Sequence, residues 1–339
     1  MSPKAGKHSI LFDAPPYLAS AATVAGPREG QGPLGPDFDL IYKDLLLEQK
    51  SFEAAERKML ADACALALEK GNYRLEQMDY FLAGDLLNQI TASSYCAAKL
   101  ALPFFGLYGA CSTLALSLAL GAILVAAGFA TNVLAATSSH NCSSERQFRY
   151  PTEYGFQRPL QAQWTVTGAG AAVIGAEGQP PRITAVTTGK VVDFNQNDPL
   201  GLGVAMAPAA ASTLLLHFQE LQRNPSYYDL IVTGDLGKVG MALNRQILAR
   251  SGYQLDDNYN DCGVMIYNPD LQQVESGGSG CACSALVGLG HIWRRMQEGE
   301  LKRVLLVSTG ALHSPTTLAQ GESIPSIAHA VALEMGDGS

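Results

Sequence analysis

Between Phe52 and Lys70, apolar residues recur at close to helical spacing. Phe52, Ala55, Met59, Ala63, Leu66 and Leu68 mark one stripe, and Gly71 follows as a stop signal. Elsewhere the apolar positions cluster into short runs that predict buried strands. In the first half these are 9–12, a run ending at Gly84, 104–108, 132–137 and the pair Val173-Ile174. In the second half they are 182–186, 230–233, 263–267, 304–308 and 330–333. The intervening segments predict helices at 93–100, from Cys111 toward Gly128, at 209–221, at 241–251 and from Cys283 toward Gly299. The Pro- and Gly-rich stretch through Pro36 reads as irregular loop. Strands that are nearly all apolar and alternate with helices imply sheets covered on both faces.

The pattern occurs twice. Gly109-Ala110-Cys111-Ser112-Thr113 opens an apolar helix, a strand (132–137) and then His140; Gly280-Cys281-Ala282-Cys283-Ser284 opens a helix, a strand (304–309) and then His313. Upstream, Asp79-Tyr80-Phe81-Leu82-Ala83-Gly84-Asp85-Leu86 matches Asp229-Leu230-Ile231-Val232-Thr233-Gly234-Asp235-Leu236 at four of eight positions. Internal repetition on this scale predicts two related halves. Gly178-Gln179-Pro180-Pro181 supplies the boundary, giving residues 1–178 and 179–339. Two sheets sharing a helical layer make an α/β fold of five layers, α-β-α-β-α.

Composition narrows the function. Hydrophobic residues make up 47% of the 339 and charged residues 16%, so much surface must be buried in a layered core or a subunit interface. A net charge of −8 argues against a nucleic-acid partner. Seven cysteines without a repeating framework suit a reducing compartment, and the polar stretch 1–7 lacks the apolar core of a signal peptide. Cys281-Ala282-Cys283 has too short a spacing for a zinc knuckle, so no metal site is expected. No Asp, Glu, Lys or Arg occurs from Leu100 to Ser144, long enough to suggest a membrane span. Gly128 interrupts it, Thr131 and Asn132 follow, and basic anchors are missing, so a buried helix followed by a buried strand is expected instead.

A cysteine at a helix N-terminus sits among unsatisfied backbone N–H groups that favour a thiolate or hold an anion. The strand, the Gly-Ala-Cys-Ser turn and the apolar helix, within a duplicated order of elements, resemble the thiolase and ketoacyl synthase superfamily over nearly the whole chain. That resemblance implies a histidine after the second strand of the second half, and an Asn or His in the Gly-rich turn before its buried helix. Here those positions read Thr233-Gly234-Asp235-Leu236-Gly237 and Gly277-Gly278-Ser279-Gly280. With two of three groups missing, a protein without condensing activity is expected. The alternative is an acyl-thioester enzyme that uses Cys111 as nucleophile with His140 as base.

A narrower resemblance follows from residues 137–155, from Gly84-Asp85-Leu86-Leu87-Asn88-Gln89, from Ala207-Pro208-Ala209-Ala210-Ala211 and from the segment 276–284. Together they are similar to a thiolase-like family of stage V sporulation proteins from endospore-forming bacteria. The resemblance implies a non-catalytic protein that binds dipicolinic acid or its calcium chelate. It implies action with membrane proteins of the stage V sporulation A operon, in uptake into the developing spore and in release at germination. It further implies a homodimer paired through 104–108, on the cytoplasmic side and peripherally associated with the forespore inner membrane, with no cofactor. The candidate ligand-binding residues are Cys111, His140, Arg146, Gly278, Ser279 and His313. Several of these and their neighbours have a plainer reading beside them. Cys111 and Cys283 fit buried core positions, and His140 fits a hydrogen-bonding role in the loop after its strand. Arg146, Arg149 and Arg158 fit ion pairs with Glu145 and Glu153 or the bracing of a dimer loop, and Asp235, like Asp85, fits a turn.

Overall fold

The computed structural model describes residues 4–148 and 158–336. Its main sheet runs in the order Tyr259–Asp261, Leu230–Thr233, Arg303–Ala311, Ser326–Glu334, Arg182–Thr188, Tyr17–Ala25, Gly168–Gly175, Asn132–Ser139, Tyr80–Gly84, Phe104–Gly106. Two short strands lie off this path: Ser9–Leu11 pairs antiparallel with Arg182–Thr188, and Leu40–Ile41 pairs parallel with Tyr17–Ala25. Along the path itself the two halves join through Tyr17 and Arg182. Within each half the pairing is the same. Tyr80–Gly84 is parallel to both Phe104–Gly106 and Asn132–Ser139; Leu230–Thr233 is parallel to both Tyr259–Asp261 and Arg303–Ala311. The remaining two strands of each half join antiparallel. Even the caps repeat: Asp79 accepts from the N–H groups of Thr131 and Asn132, and Asp229 accepts from those of Lys302 and Arg303.

Helices fill three layers. Phe52–Lys70 packs on the outer face of the first sheet, and Leu202–Leu221 and Gly237–Arg250 cover the second. Thr113–Ala126 lies between the sheets and contacts strands of both, beside Cys281–Leu286. Thr113–Ala126 carries no charged side chain and is apolar nearly all round, as a helix with no solvent face must be. The uncharged stretch 100–144 is thereby accounted for as a core helix and the buried strand Asn132–Ser139. By length and composition Leu202–Leu221 is long and apolar enough to cross a membrane, and here 67% of that span is buried against the rest of the protein.

Helix Asn141–Phe148 was not expected, and the helix expected from Cys283 is interrupted by a wider turn at Val287–Ile292. Two further departures are larger. The segment expected as loop contains a nine-residue buried strand, Tyr17–Ala25, and the 263–267 strand is instead Tyr259–Asp261 followed by a short helix, Cys262–Met265. Asp261 causes the second shift: its carboxylate accepts from the N–H of Gly263 and starts the helix directly after the strand.

Candidate ligand pocket at Cys111

Ala110 adopts a left-handed backbone conformation (φ 48°) just before the Cys111 helix, a costly geometry for a residue with a side chain. The turn it forms places Cys111 in the wall of a pocket at the seam between the halves, also lined by Leu86, Phe148, Leu202, Ser279 and His313. The inner chamber holds only about 30 Å³. It adjoins a vestibule of about 530 Å³ that shares Tyr108, Phe148 and His313 and is rimmed by Asn88, Gln147 and Ser314. The Phe148 and His313 rings lie 6.0 Å apart, tilted by 35°. His313 is the only described lining residue of either chamber able to carry a positive charge, whereas Glu145 lines the inner chamber and accepts from Thr165 Oγ1 at 3.0 Å.

Behind the lining residues Ser279 and Gly280 sits Asp235, which is enclosed. Its carboxylate accepts from Ser279 Oγ (2.8 Å), the Gly280 N–H (3.0 Å) and Thr309 Oγ1 (2.6 Å), and it hydrogen-bonds the Cys111 thiol. Gly280 is required there: its φ is +101°, and a Cβ would come within 2.8 Å of Ser139 Oγ. Burial raises the Asp235 pKa, and the hydrogen bonds from Thr309, Gly280, Ser279 and Cys111 offset part of that rise. Burial, then the Asp235 charge and Cys281, push the Cys111 thiol well above its ordinary value. An imidazolium beside a thiol favours the thiolate; a carboxylate favours the thiol. The helix end contributes little to an anion, because the N–H groups of Ser112 and Thr113 already donate to the carbonyls of Gly109 (3.1 Å) and Ala110 (3.2 Å).

Of the six candidates, Cys111, Ser279 and His313 meet in this pocket and three do not. His140 is buried apart from it: Nε2 lies 2.8 Å from the Leu45 carbonyl, Nδ1 accepts from the Cys142 N–H, and the ring packs on Phe52. Burial lowers its pKa, so it serves as a structural, neutral ring. Arg146 is half exposed and pairs with Glu53. Gly278 faces the core, where a Cβ would meet Ile266 Cγ2 at 2.8 Å and Val166 Cγ2 at 3.0 Å, so a bulky residue there strains packing and does not fill the pocket. Arg158 reaches Glu145 at 3.7 Å, as its plainer reading expects, while Arg149 and Glu153 lie outside the described residues. Cys283 is core; Cys281 is the cysteine of that pair that clusters with Cys111, and its Sγ donates to the Ala110 carbonyl. Asp235 was missed as a site residue. The available signal was its place at the superfamily's histidine position, and the repeat with Asp85 pointed to a turn instead. The two have diverged: Asp85 accepts from the Leu87 and Ser93 N–H groups within its own half, whereas Asp235 faces Cys111 across the seam.

Comparisons with known proteins agree with this fold. The solved structure of cerulenin-bound OleA from Xanthomonas campestris superposes with a TM-score of 0.63 at 16% identity, covering 98% of this chain and 100% of that one. 3-Oxoacyl-[acyl-carrier-protein] synthase III from Aquifex aeolicus VF5 gives a TM-score of 0.53 at 14% identity, covering 82% and 84%. These likenesses establish a thiolase-like fold. At the level of sequence, Stage V sporulation protein AD of Bacillus subtilis (strain 168) is 50% identical over 334 residues, 98% of each chain. The family model Stage V sporulation protein AD (SpoVAD) matches residues 6–334, and the chain belongs to that family of sporulation proteins.

Proposed function

We propose that this protein binds dipicolinic acid, pyridine-2,6-dicarboxylate, or its calcium chelate in the Cys111 pocket without chemically transforming it. The observation that supports the non-catalytic part is the enclosure of Cys111 beside the Asp235 carboxylate: burial first, and then that charge, favour a neutral thiol at the nucleophile position. The pocket's shape suits a small flat ligand. The inner chamber admits one carboxylate-sized group beside Ser279 and Cys111, and the ring then lies in the vestibule against Tyr108, Phe148 and His313. With Glu145 and Asp235 nearby, calcium brought by the ligand offsets a repulsion that the free dianion would meet.

In this reading the protein serves uptake into the developing spore and release at germination, with membrane proteins of the stage V sporulation A operon as partners and a peripheral position on the forespore inner membrane. Calorimetric titration tests it. Dipicolinate should give saturable heat, with higher affinity when calcium is present, and picolinate should bind about 1–3 kcal/mol more weakly because the groups facing its missing carboxylate stay unpaired. No heat with dipicolinate under either condition, or acylation of Cys111 by an acyl-coenzyme A seen by intact mass, would overturn the proposal.

The same proposal includes a homodimer. Phe104–Gly106 ends the sheet with one edge unpaired among the described residues, and Phe105 and Tyr108 beside it are 42% and 49% exposed. Sedimentation at micromolar concentration should give twice the chain mass of 35.9 kDa, and a monomer there contradicts the pairing.

A further inference from the structure

On the outer layer of the first half, away from the Cys111 pocket, a surface groove of about 440 Å³ lies between the helices Phe52–Lys70 and Thr91–Leu100. Arg57, Lys58, Asp62, Tyr95 and Lys99 line it, and Cys96 forms part of its base. The Arg57 guanidinium lies over the Tyr95 ring at 4.5 Å, and Lys58 pairs with Asp62 at 2.9 Å, so Arg57 and Lys99 leave the groove net positive in a chain whose total charge is −8. Behind Cys96, on the facing helix, sits Cys64, fully buried and hydrogen-bonded thiol to thiol with it.

We propose that Cys96 is an oxidation site for hydrogen peroxide or a small organic hydroperoxide entering this groove, and that Cys64 resolves the product as an intramolecular disulfide. In the first step the Cys96 thiolate sulfur bonds to one peroxide oxygen, the O–O bond breaks, and the departing oxygen takes up a proton and leaves as water or as an alcohol. Cys96 is then a sulfenic acid. In the second step the Cys64 sulfur attacks the Cys96 sulfur, the S–O bond breaks, and the hydroxyl leaves as water with the Cys64 proton. The two thiols lose two electrons, and the peroxide is reduced to two waters, or the hydroperoxide to an alcohol and water.

Three features place the chemistry at Cys96 and not at the other cysteines. Its partner thiol is already in contact, which the half-exposed Cys142 lacks among the described residues. It opens on a groove with two cations beyond the Lys58–Asp62 pair, which favours an attacking thiolate. Lys99 lies beside Cys96 and favours a thiolate there, whereas Cys64 is fully buried behind it with no cation in the groove facing it. At 3% exposure Cys96 is open to a small oxidant and closed to bulky reagents. The product staples helix Phe52–Lys70 to helix Thr91–Leu100. Glu56 on the first helix holds Ser138 and Ser143, and Asp85 caps the second at Ser93, so the staple braces the frame behind the pocket.

The test uses the full-length wild-type protein. Brief hydrogen peroxide treatment at pH 7.4 is followed by alkylation of the remaining thiols under denaturing conditions and by non-reducing peptide mapping. A Cys64–Cys96 cross-linked peptide should appear about tenfold faster than any modification of Cys142, vanish on dithiothreitol treatment, and accompany a rise of a few degrees in the thermal midpoint. In Cys64→Ala, Cys96 should accumulate as a sulfenic acid that dimedone traps on unfolding. Oxidation of Cys142 or Cys111 with Cys64 and Cys96 still reduced would overturn the proposal, as would a Cys111–Cys281 disulfide forming first. Because the mapping is done on the wild type, failure of the variant to fold leaves the test intact, and the outcome does not depend on what the Cys111 pocket binds.

Discussion

Lowering the pH from 7 to 5 should cost the fold about 2 kcal/mol through His217 alone. His217 is fully buried, with Nδ1 2.8 Å from Thr187 Oγ1 and Nε2 2.6 Å from Tyr228 Oη. Burial, and then the Arg223 charge, pull its pKa from 6.5 down to about 3. The unfolded chain therefore protonates this ring near pH 6.5, and the folded chain does so only near 3. Its contribution to stability is complete above 6.5 and is lost as pH falls toward 3. His329, whose Nδ1 accepts from the Gly189 N–H, is lowered to about 4 by burial and adds a loss of about 2 kcal/mol at pH 5. Asp261 acts the other way. Burial raises its carboxyl to about 6, so the folded state binds that proton first, and stability rises by about 1 kcal/mol between pH 6 and 5. Urea midpoints of the wild type and His217→Gln at both pH values separate these effects. Glutamine binds no proton, so the variant should lose about 2 kcal/mol less over the interval. Equal losses in the two proteins would mean that the folded ring is already protonated.

The sequence carried the duplication because it is written locally. The Asp79 and Asp229 repeats each cap the start of a neighbouring strand, and the Gly-Asp turn recurs where each half changes direction. It carried the central helix because an apolar run without charges has one destination in a layered protein. Tyr17–Ala25 was hidden for a physical reason. Its residues are mostly Ala, Ser and Thr, so that helix Phe52–Lys70 can lie close against it, and small residues give no strong period. Its long pairing partner, Gly168–Gly175, is far away in sequence, and the nearby Leu40–Ile41 meets it at only two residues. The pocket was half visible. Cys111, Ser279 and His313 come from repeated segments and converge because the halves are related by symmetry. His140, the counterpart of His313, faces Leu45, because pseudo-symmetric positions keep their backbone while their neighbours diverge. Asp235 and Gly278 were misread because which way a side chain points across the seam depends on long-range packing that no local pattern records.

The pocket assignment makes its sharpest demand at Cys111. Cys111→Trp should weaken dipicolinate binding about a hundredfold or more, a loss of roughly 3 kcal/mol. The inner chamber of about 30 Å³ cannot take an indole, and Asp235, Ser279 and Cys281 block the inward directions, so the ring must project into the space the ligand needs. Cys111→Ala should change affinity only slightly, since the thiol is a wall and not a nucleophile in this reading. Circular dichroism and the thermal midpoint report whether the tryptophan variant folds. Leu202→Trp carries the same test from a half-buried lining position, where added volume costs the core less. The contrast between these variants separates the two roles of the cysteine. A thiol that itself held the ligand would make alanine as damaging as tryptophan, whereas a shaped pocket makes volume alone decide. If both tryptophan variants fold and bind dipicolinate as tightly as the wild type, the ligand site lies elsewhere on the molecule.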